Sequence, residues 1–230
     1  MNPNLKLAIY KSKGDEVKKN DTILHIGIGK AGSSSIQSYL SKNREALWKK
    51  GVLFPKDVVN GNRLGGDNNK TLAALSIPFN NKHIIFKQNK VESVGDYNDF
   101  KDFFLKSYKN QLSVLSENNV CLLTAEHFWS MLTQENDLKE LEKYIDELRL
   151  NIVNIVIYIR DQVDWLKSFI LQKIIEGSDK GFKSPFTDQQ LIDRLDYLST
   201  IELWRTAFPK ATCSVRLFDK NVFYNSNLIS

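Results

Sequence analysis

The chain has 230 residues, 42% of them hydrophobic and 26% charged, with a formal net charge of +5. That length suits one α/β domain with a sizeable core, and the composition excludes a chain disordered throughout. Lysines are interspersed with acids rather than gathered into a tract, so the charge balance fits a small anionic ligand better than nucleic acid. Cys121 and Cys213 lie far apart, each in a β-like run. They read as buried reduced thiols and exclude a disulfide scaffold or a Cys-based zinc site. The three histidines, His25, His83 and His127, have no paired spacing, so no metal site is expected. No stretch approaches the ~20 apolar residues of a membrane span, and the N-terminus has no signal-peptide core. A cytoplasmic protein is therefore expected.

Residues 5–10 allow a short edge strand, and 11–20 a charged turn. Residues 22–28 (TILHIGI) read as a buried strand that runs into a small-residue loop at 29–35. A helix follows, with Ile36, Leu40, Leu47 and Trp48 as its apolar positions and Gly51 as its stop. Residues 52–54 form a short strand closed by Pro55. Residues 56–70, rich in Gly and Asn, read as a long loop, and such loops are often functional. Residues 71–75 predict one or two helical turns, and 83–86 a short strand. Helical periodicity covers 97–118 through Phe100, Phe103, Phe104, Tyr108, Leu112 and Leu115.

The next buried strand is 120–125 (VCLLTA), with Glu126 and His127 just past its end. An amphipathic helix follows over 137–149. Residues 152–159 are the strongest strand, read as fully buried and closed by Arg160. Then come a helix over 162–176, a polar loop at 177–185, a helix over 188–208 and a last strand at 212–218. Strands alternating with helices predict an α/β fold, a single domain over 1–230 with a central, mostly parallel β-sheet flanked by helices.

Ligands of such sheets bind beyond the C-terminal ends of the strands. The first strand ends in Gly27-Ile28-Gly29-Lys30-Ala31-Gly32-Ser33-Ser34-Ser35. Small residues let backbone N–H groups approach an anion, and a helix opening near Ser33 adds its positive end. Gly27 and Gly32 have the spacing of a P-loop, yet Ser33 stands where its lysine belongs and the lysine is inside the loop, at Lys30. Such a lysine still reaches the bridge of a phosphoanhydride-like donor. A second anion site is read from Arg160 at a strand end and Ser168 eight residues later on the following helix. His25 reads as a core histidine. Trp129, Trp165 and Trp204 allow stacking on adenine or sugar rings, but each fits a core aromatic on a helix face better.

The segment LHIGIGKAGSSSIQSYLSKNREALWKKGVLFP resembles the 5′-phosphosulfate-binding segment of PAPS-dependent sulfotransferases, in their bacterial and carbohydrate branch. The segment VNIVIYIRDQVDWLKSFILQK resembles the same family's 3′-phosphate motif, a strand-end Arg with a Ser eight residues on. The two occur in the family's order and together cover about a quarter of the chain. The resemblance implies a P-loop-like sulfotransferase fold and 3′-phosphoadenosine 5′-phosphosulfate (PAPS) as donor, without a metal. It implies that Lys30 contacts the phosphosulfate bridge, that Ala31, Gly32, Ser33, Ser34 and Ser35 form the 5′-phosphate cradle, and that Arg160 and Ser168 hold the 3′-phosphate. The acceptor it implies is a hydroxyl of a carbohydrate or glycoconjugate.

Ala31 and Ser33 stand where the family usually has Thr. Asn68-Asn69 stands near the family's Asn-His pair, so the His of that pair is missing. The family completes its nucleotide site with a C-terminal loop, whereas this chain ends at Ser230, soon after its last predicted strand. The acceptor hydroxyl needs a general base. Thr124-Ala125-Glu126 matches the branch's Ser-x-Glu pattern, which favours Glu126, with His127 the alternative. Two other functional readings stand beside this one. One is a P-loop nucleotide kinase, weakened by the missing lysine and by the lack of a clear strand-end acid for metal. The other is a non-catalytic nucleotide-binding module.

Overall fold

The computed structural model describes residues 19–59, 63–175, 177 and 189–219. The edge strand expected at 5–10, the turn at 11–18 and nearly all of the polar loop at 177–185 lie outside the described residues. In chain order the elements are β1 (Asn20–His25), α1 (Ser33–Lys42), α2 (Arg44–Trp48), β2 (Val52–Leu53), β3 (Asp57–Val59), β4 (Arg63–Gly65), α3 (Lys70–Leu75), α4 (Ile84–Gln88) and α5 (Val94–Leu112). They continue with β5 (Val120–Thr124), α6 (Glu126–Met131), α7 (Glu135–Glu147), β6 (Leu150–Ile159), α8 (Gln162–Ile175), α9 (Gln189–Leu195), α10 (Tyr197–Ala207) and β7 (Thr212–Leu217).

The protein is α/β. Five strands form one sheet in the order β2-β5-β1-β6-β7, and every neighbouring pair is parallel. The apolar runs supply the middle of that sheet. Leu24 of β1 pairs with Leu123 of β5 on one side and Ile155 of β6 on the other, and all three are wholly buried. Parallel strands need helices over their faces to shed so much apolar surface from water. α7 packs on β6 and on α10, while α3 packs on α6 and α7. Phe100, Phe104, Tyr108 and Leu112, four residues apart along α5, form one buried stripe into the same core.

The connection after β1 leads outward to β2, whereas the one after β6 leads the other way, to β7. The chain therefore diverges at the C-terminal ends of β1 and β6, the kind of crevice in which open α/β sheets hold ligands. The residues singled out at 29–35 and at 160 follow these two strands directly.

Several local expectations change. The helix expected after the small-residue loop is two, broken at Asn43, whose side-chain amide donates to the Tyr39 carbonyl (2.7 Å). The 56–70 loop contains an antiparallel hairpin, β3–β4. Its first residue, Asp57, is buried because its carboxylate accepts the Val58 and Thr71 N–H groups, both at 2.9 Å. Residues 83–86 are not a strand: they open α4, with Ile85 and Phe86 turned into the core and Ile84 outward. α5 starts earlier and stops earlier than predicted, its start fixed by a capping box of Ser93 and Asp96. The helix expected over 188–208 is broken at Asp196, whose side chain caps α10 at Ser199 N (3.1 Å). β6 is fully buried on one face only, and its register shifts opposite Thr22/Ile23. Cys121 is buried and Cys213 half-buried, both free thiols. Among the described residues no helix is long and apolar enough to cross a membrane.

Candidate functional site

The loop between β1 and α1 is shaped by backbone that L-residues rarely adopt. Lys30 has φ 67° and Gly32 has φ 78°, both left-handed. At Lys30 this conformation costs about 1–2 kcal/mol, so something must hold it. Two side chains from the β6–α8 segment do so. Arg160 Nη1 donates to the Lys30 carbonyl (3.1 Å), and Trp165 Nε1 donates to the Gly29 carbonyl (2.7 Å). The Arg160 guanidinium also lies 5.8 Å from the centre of the Phe218 ring. Gly32 is the N-cap of α1 and supplies no side chain to the free N–H groups of its first turn. They are open to an anionic ligand.

Beneath the loop lies His25. It is buried, with Nδ1 at 2.7 Å from Thr124 Oγ1, its ring edge-on to Tyr158, and Nε2 without a hydrogen-bond partner among the described residues. Burial lowers its pKa to about 4, so the ring is neutral near pH 7. A Cβ on Gly27 would stand 2.8 Å from His25 Cε1 and 2.9 Å from Nε2. Glycine is required there for space, because any Cβ would run into the imidazole packed against it.

A cavity of about 310 Å³ opens above the loop. Its near wall is Gly29, Lys30, Gly32, Ser33, Ser34 and Ser35. Its far walls come from α6 (Glu126, Trp129, Ser130), from α8 (Trp165, Phe169, Gln172) and from Arg194 of α9. Ser33 is buried and donates its hydroxyl hydrogen to Glu126 Oε2 at 2.9 Å, whereas Ser34 and Ser35 are exposed. Trp165 and Phe169 stack at 5.1 Å with 9° between their planes, and the Arg194 guanidinium lies 5.9 Å from the Phe169 centre.

The structure thus brings Lys30, Gly32, Ser33, Ser34, Ser35 and Glu126 to one cavity. Arg160 sits behind Lys30, tied to its carbonyl. Ala31 turns its methyl into the core. Ser168, half-buried on α8, does not line the cavity. Neither does His127. Its Nδ1 is buried without a hydrogen-bond partner among the described residues, and burial holds its pKa below the ordinary imidazole range; Glu126 opposes that shift, and Lys70 and His83 add to it.

Sequence reasoning did not find Ser130, Phe169, Gln172 or Arg194 as cavity residues, and it ranked a ligand-facing role for Trp129 and Trp165 below a core one. Trp204 is a core aromatic as expected, whereas Trp129 and Trp165, though mostly buried, keep an edge on the cavity. The available signal was the i, i+4, i+7 row of Trp165, Phe169 and Gln172 on the helix that follows Arg160. Asn69 was also missed. It is wholly buried, accepting from Thr124 N (2.8 Å) and donating to Pro55 O (3.1 Å) and Tyr108 Oη (2.9 Å). It pins the end of β5, from which Glu126 departs.

No family model matches the chain. An uncharacterized protein of Archaeoglobus fulgidus is 33% identical over 96 residues, which cover 40% of this chain and 24% of the relative. The match thus spans about a quarter of that relative's length. The crystal structure of a sulfotransferase from Alicyclobacillus acidocaldarius is similar over 88% of this chain and 74% of its own, at 13% sequence identity and a TM-score of 0.47.

Proposed function

We propose that the protein is a sulfotransferase that moves a sulfuryl group from PAPS to a hydroxyl of a carbohydrate or glycoconjugate. The observation that carries this reading is the convergence of Lys30, the exposed hydroxyls of Ser34 and Ser35, the open N-terminus of α1 and the Glu126 carboxylate on one cavity. A cation, hydroxyls and free amides suit a phosphate group, and a carboxylate on the facing wall suits removal of a proton. The volume lies at the small end of the ~300–1,000 Å³ usual for ligand sites.

PAPS supplies a sulfuryl group already activated as a mixed anhydride with phosphate. The residues of this chain then have distinct tasks. The α1 amides with Ser34 and Ser35 hold the 5′-phosphate. Lys30 neutralises charge on the bridging oxygen as the bond to sulfur breaks. Arg160 keeps Lys30 in its left-handed conformation, and Arg160 and Ser168, both outside the cavity lining, would hold a 3′-phosphate that extends beyond it. Glu126 takes the acceptor hydroxyl's proton as the new O–S bond forms. The aromatic wall of Trp129, Trp165 and Phe169 excludes water from the reacting atoms.

The test is calorimetric binding of adenosine 3′,5′-bisphosphate without magnesium, against ADP and ATP with and without it. The reading expects metal-independent binding that needs the 3′-phosphate. It also expects transfer from PAPS to be lost in Lys30→Ala and Glu126→Gln with the fold intact. Arg160→Ala is expected to weaken the bisphosphate far more than ADP. A preference for magnesium-ATP, or no binding of the bisphosphate, refutes it.

A further inference from the structure

Ser33 is the first residue of α1 and belongs to the loop that faces the ligand, yet it is only 2% exposed. Its hydroxyl has a single hydrogen, and that hydrogen is directed at Glu126 Oε2 across 2.9 Å. Phosphate oxygens near neutral pH are acceptors, so a hydroxyl engaged in this way has nothing to donate to them. The two serines that follow are different. Ser34 and Ser35 are exposed, line the cavity and have no hydrogen-bond partner among the described residues. The three consecutive hydroxyls therefore divide into one that faces the carboxylate and two that face the open cavity.

The carboxylate side agrees. Glu126 is the first residue of α6, a helix of six residues, so its side chain has little of its own element to lean on. A Cβ on Gly29 would stand 3.8 Å from the same Oε2, which places the carboxylate against the loop backbone. With Oε2 engaged, Oε1 has no hydrogen-bond partner among the described residues and remains available to receive a proton. The link joins residues 93 apart in the chain and ties the end of β1 to the end of β5, the two strands whose loops would carry donor and acceptor.

We infer that Ser33 is a positioning residue for Glu126: its hydroxyl holds Oε2 so that Oε1 faces the acceptor, and the donor's phosphate is held by the other loop groups. This rests on the sulfotransferase reading above. In the step it serves, the acceptor O–H bond breaks and an Oε1–H bond forms. The new O–S bond forms as the S–O bond to the bisphosphate breaks, and the released charge stays beside Lys30.

The experiment measures the Kd for adenosine 3′,5′-bisphosphate by calorimetry, and kcat for sulfuryl transfer, in the wild type, Ser33→Ala, Ser33→Thr, Ser34→Ala, Glu126→Gln and the Ser33→Ala/Glu126→Gln double variant. Ser33→Ala should leave the Kd within about three-fold while lowering kcat by about 10- to 100-fold, the scale of a misplaced reacting group. Ser33→Thr keeps a hydroxyl and should restore kcat. Ser34→Ala should weaken the bisphosphate instead. Two groups acting as one unit are not additive, so the double variant should lose no more than Glu126→Gln alone. Multiplying losses in the double variant, or a Ser33→Ala Kd that rises as much as that of Ser34→Ala, would overturn the inference and leave the sulfotransferase reading standing. A wild type that does not bind the bisphosphate overturns both.

Discussion

Replacing Gly27 by alanine puts a methyl carbon 2.8 Å from His25 Cε1 and 2.9 Å from Nε2, closer than real carbon contacts allow. Gly27 has ordinary negative-φ backbone, so the penalty is steric and not conformational. The imidazole has little room to yield. Nδ1 is held at 2.7 Å by Thr124 Oγ1, and the ring rests edge-on against Tyr158 at 6.0 Å. Swinging it away sacrifices a buried hydrogen bond worth about 1 kcal/mol; leaving it in place forces the loop upward. Overpacking of this kind costs about 1–3 kcal/mol. With a urea slope of roughly 1–3 kcal/mol/M for a small domain, the midpoint should fall by about 1 M. The displaced loop should also bind adenosine 3′,5′-bisphosphate more weakly. The decisive comparison is a double-mutant cycle with His25→Asn, which deletes the two ring atoms in the way and keeps an amide within reach of Thr124. In that background Gly27→Ala should cost about 1–2 kcal/mol less, the coupling expected of residues in contact. Equal costs in both backgrounds, or a wild type indifferent to Gly27→Ala, would refute this packing argument.

Two further outcomes follow from buried groups. His25, with its pKa lowered to about 4, contributes stability that is present above its unfolded value of 6.5 and is lost as pH falls through about 4. The stability gap between wild type and His25→Asn should therefore widen in the wild type's favour by about 3 kcal/mol from pH 4 to pH 6.5, at about 1.4 kcal/mol per pKa unit. Asp57, raised by burial to about 6, works the other way: its contribution is present below 3.8 and lost as pH rises through about 6. Asp57→Asn should then gain on the wild type over that window, and urea midpoints at a series of pH values that keep either gap constant would reject the assignment. Trp165→Phe keeps the stack on Phe169 but leaves the half-buried Gly29 carbonyl without its 2.7 Å donor. It should cost about 1 kcal/mol and weaken bisphosphate binding; unchanged affinity would show that the indole N–H does not hold the loop.

Local sequence was enough for the parts whose cause is local. The apolar runs of β1, β5 and β6 form strands because alternation and β-branching act over a few residues. The small residues after β1 form a left-handed turn into a helix because Gly32 tolerates φ 78°. Lys30, Ser34, Ser35 and Glu126 were therefore legible as cavity residues from strand ends alone. The same local reading failed where a polar residue finds its partner elsewhere. Asp57 looked like part of a loop because nothing near it reveals that Thr71 and Val58 would satisfy its carboxylate. Residues 83–86 looked like a strand because a four-residue apolar run has no distinguishing period.

What the sequence by itself determined is the alternation of strands and helices, and which loop, the one after β1, lines the cavity. What only the tertiary structure decided is the strand order β2-β5-β1-β6-β7, which sets β5 and β6 on either side of β1. From that order come the contacts that define the site: Ser33 on Glu126 across 93 residues, Arg160 on the Lys30 carbonyl across 130, and Trp165 on the Gly29 carbonyl across 136. Propensity and periodicity act within one element. The pairing of a serine with one carboxylate among many is fixed only when the sheet brings their strand ends within a few ångströms of each other.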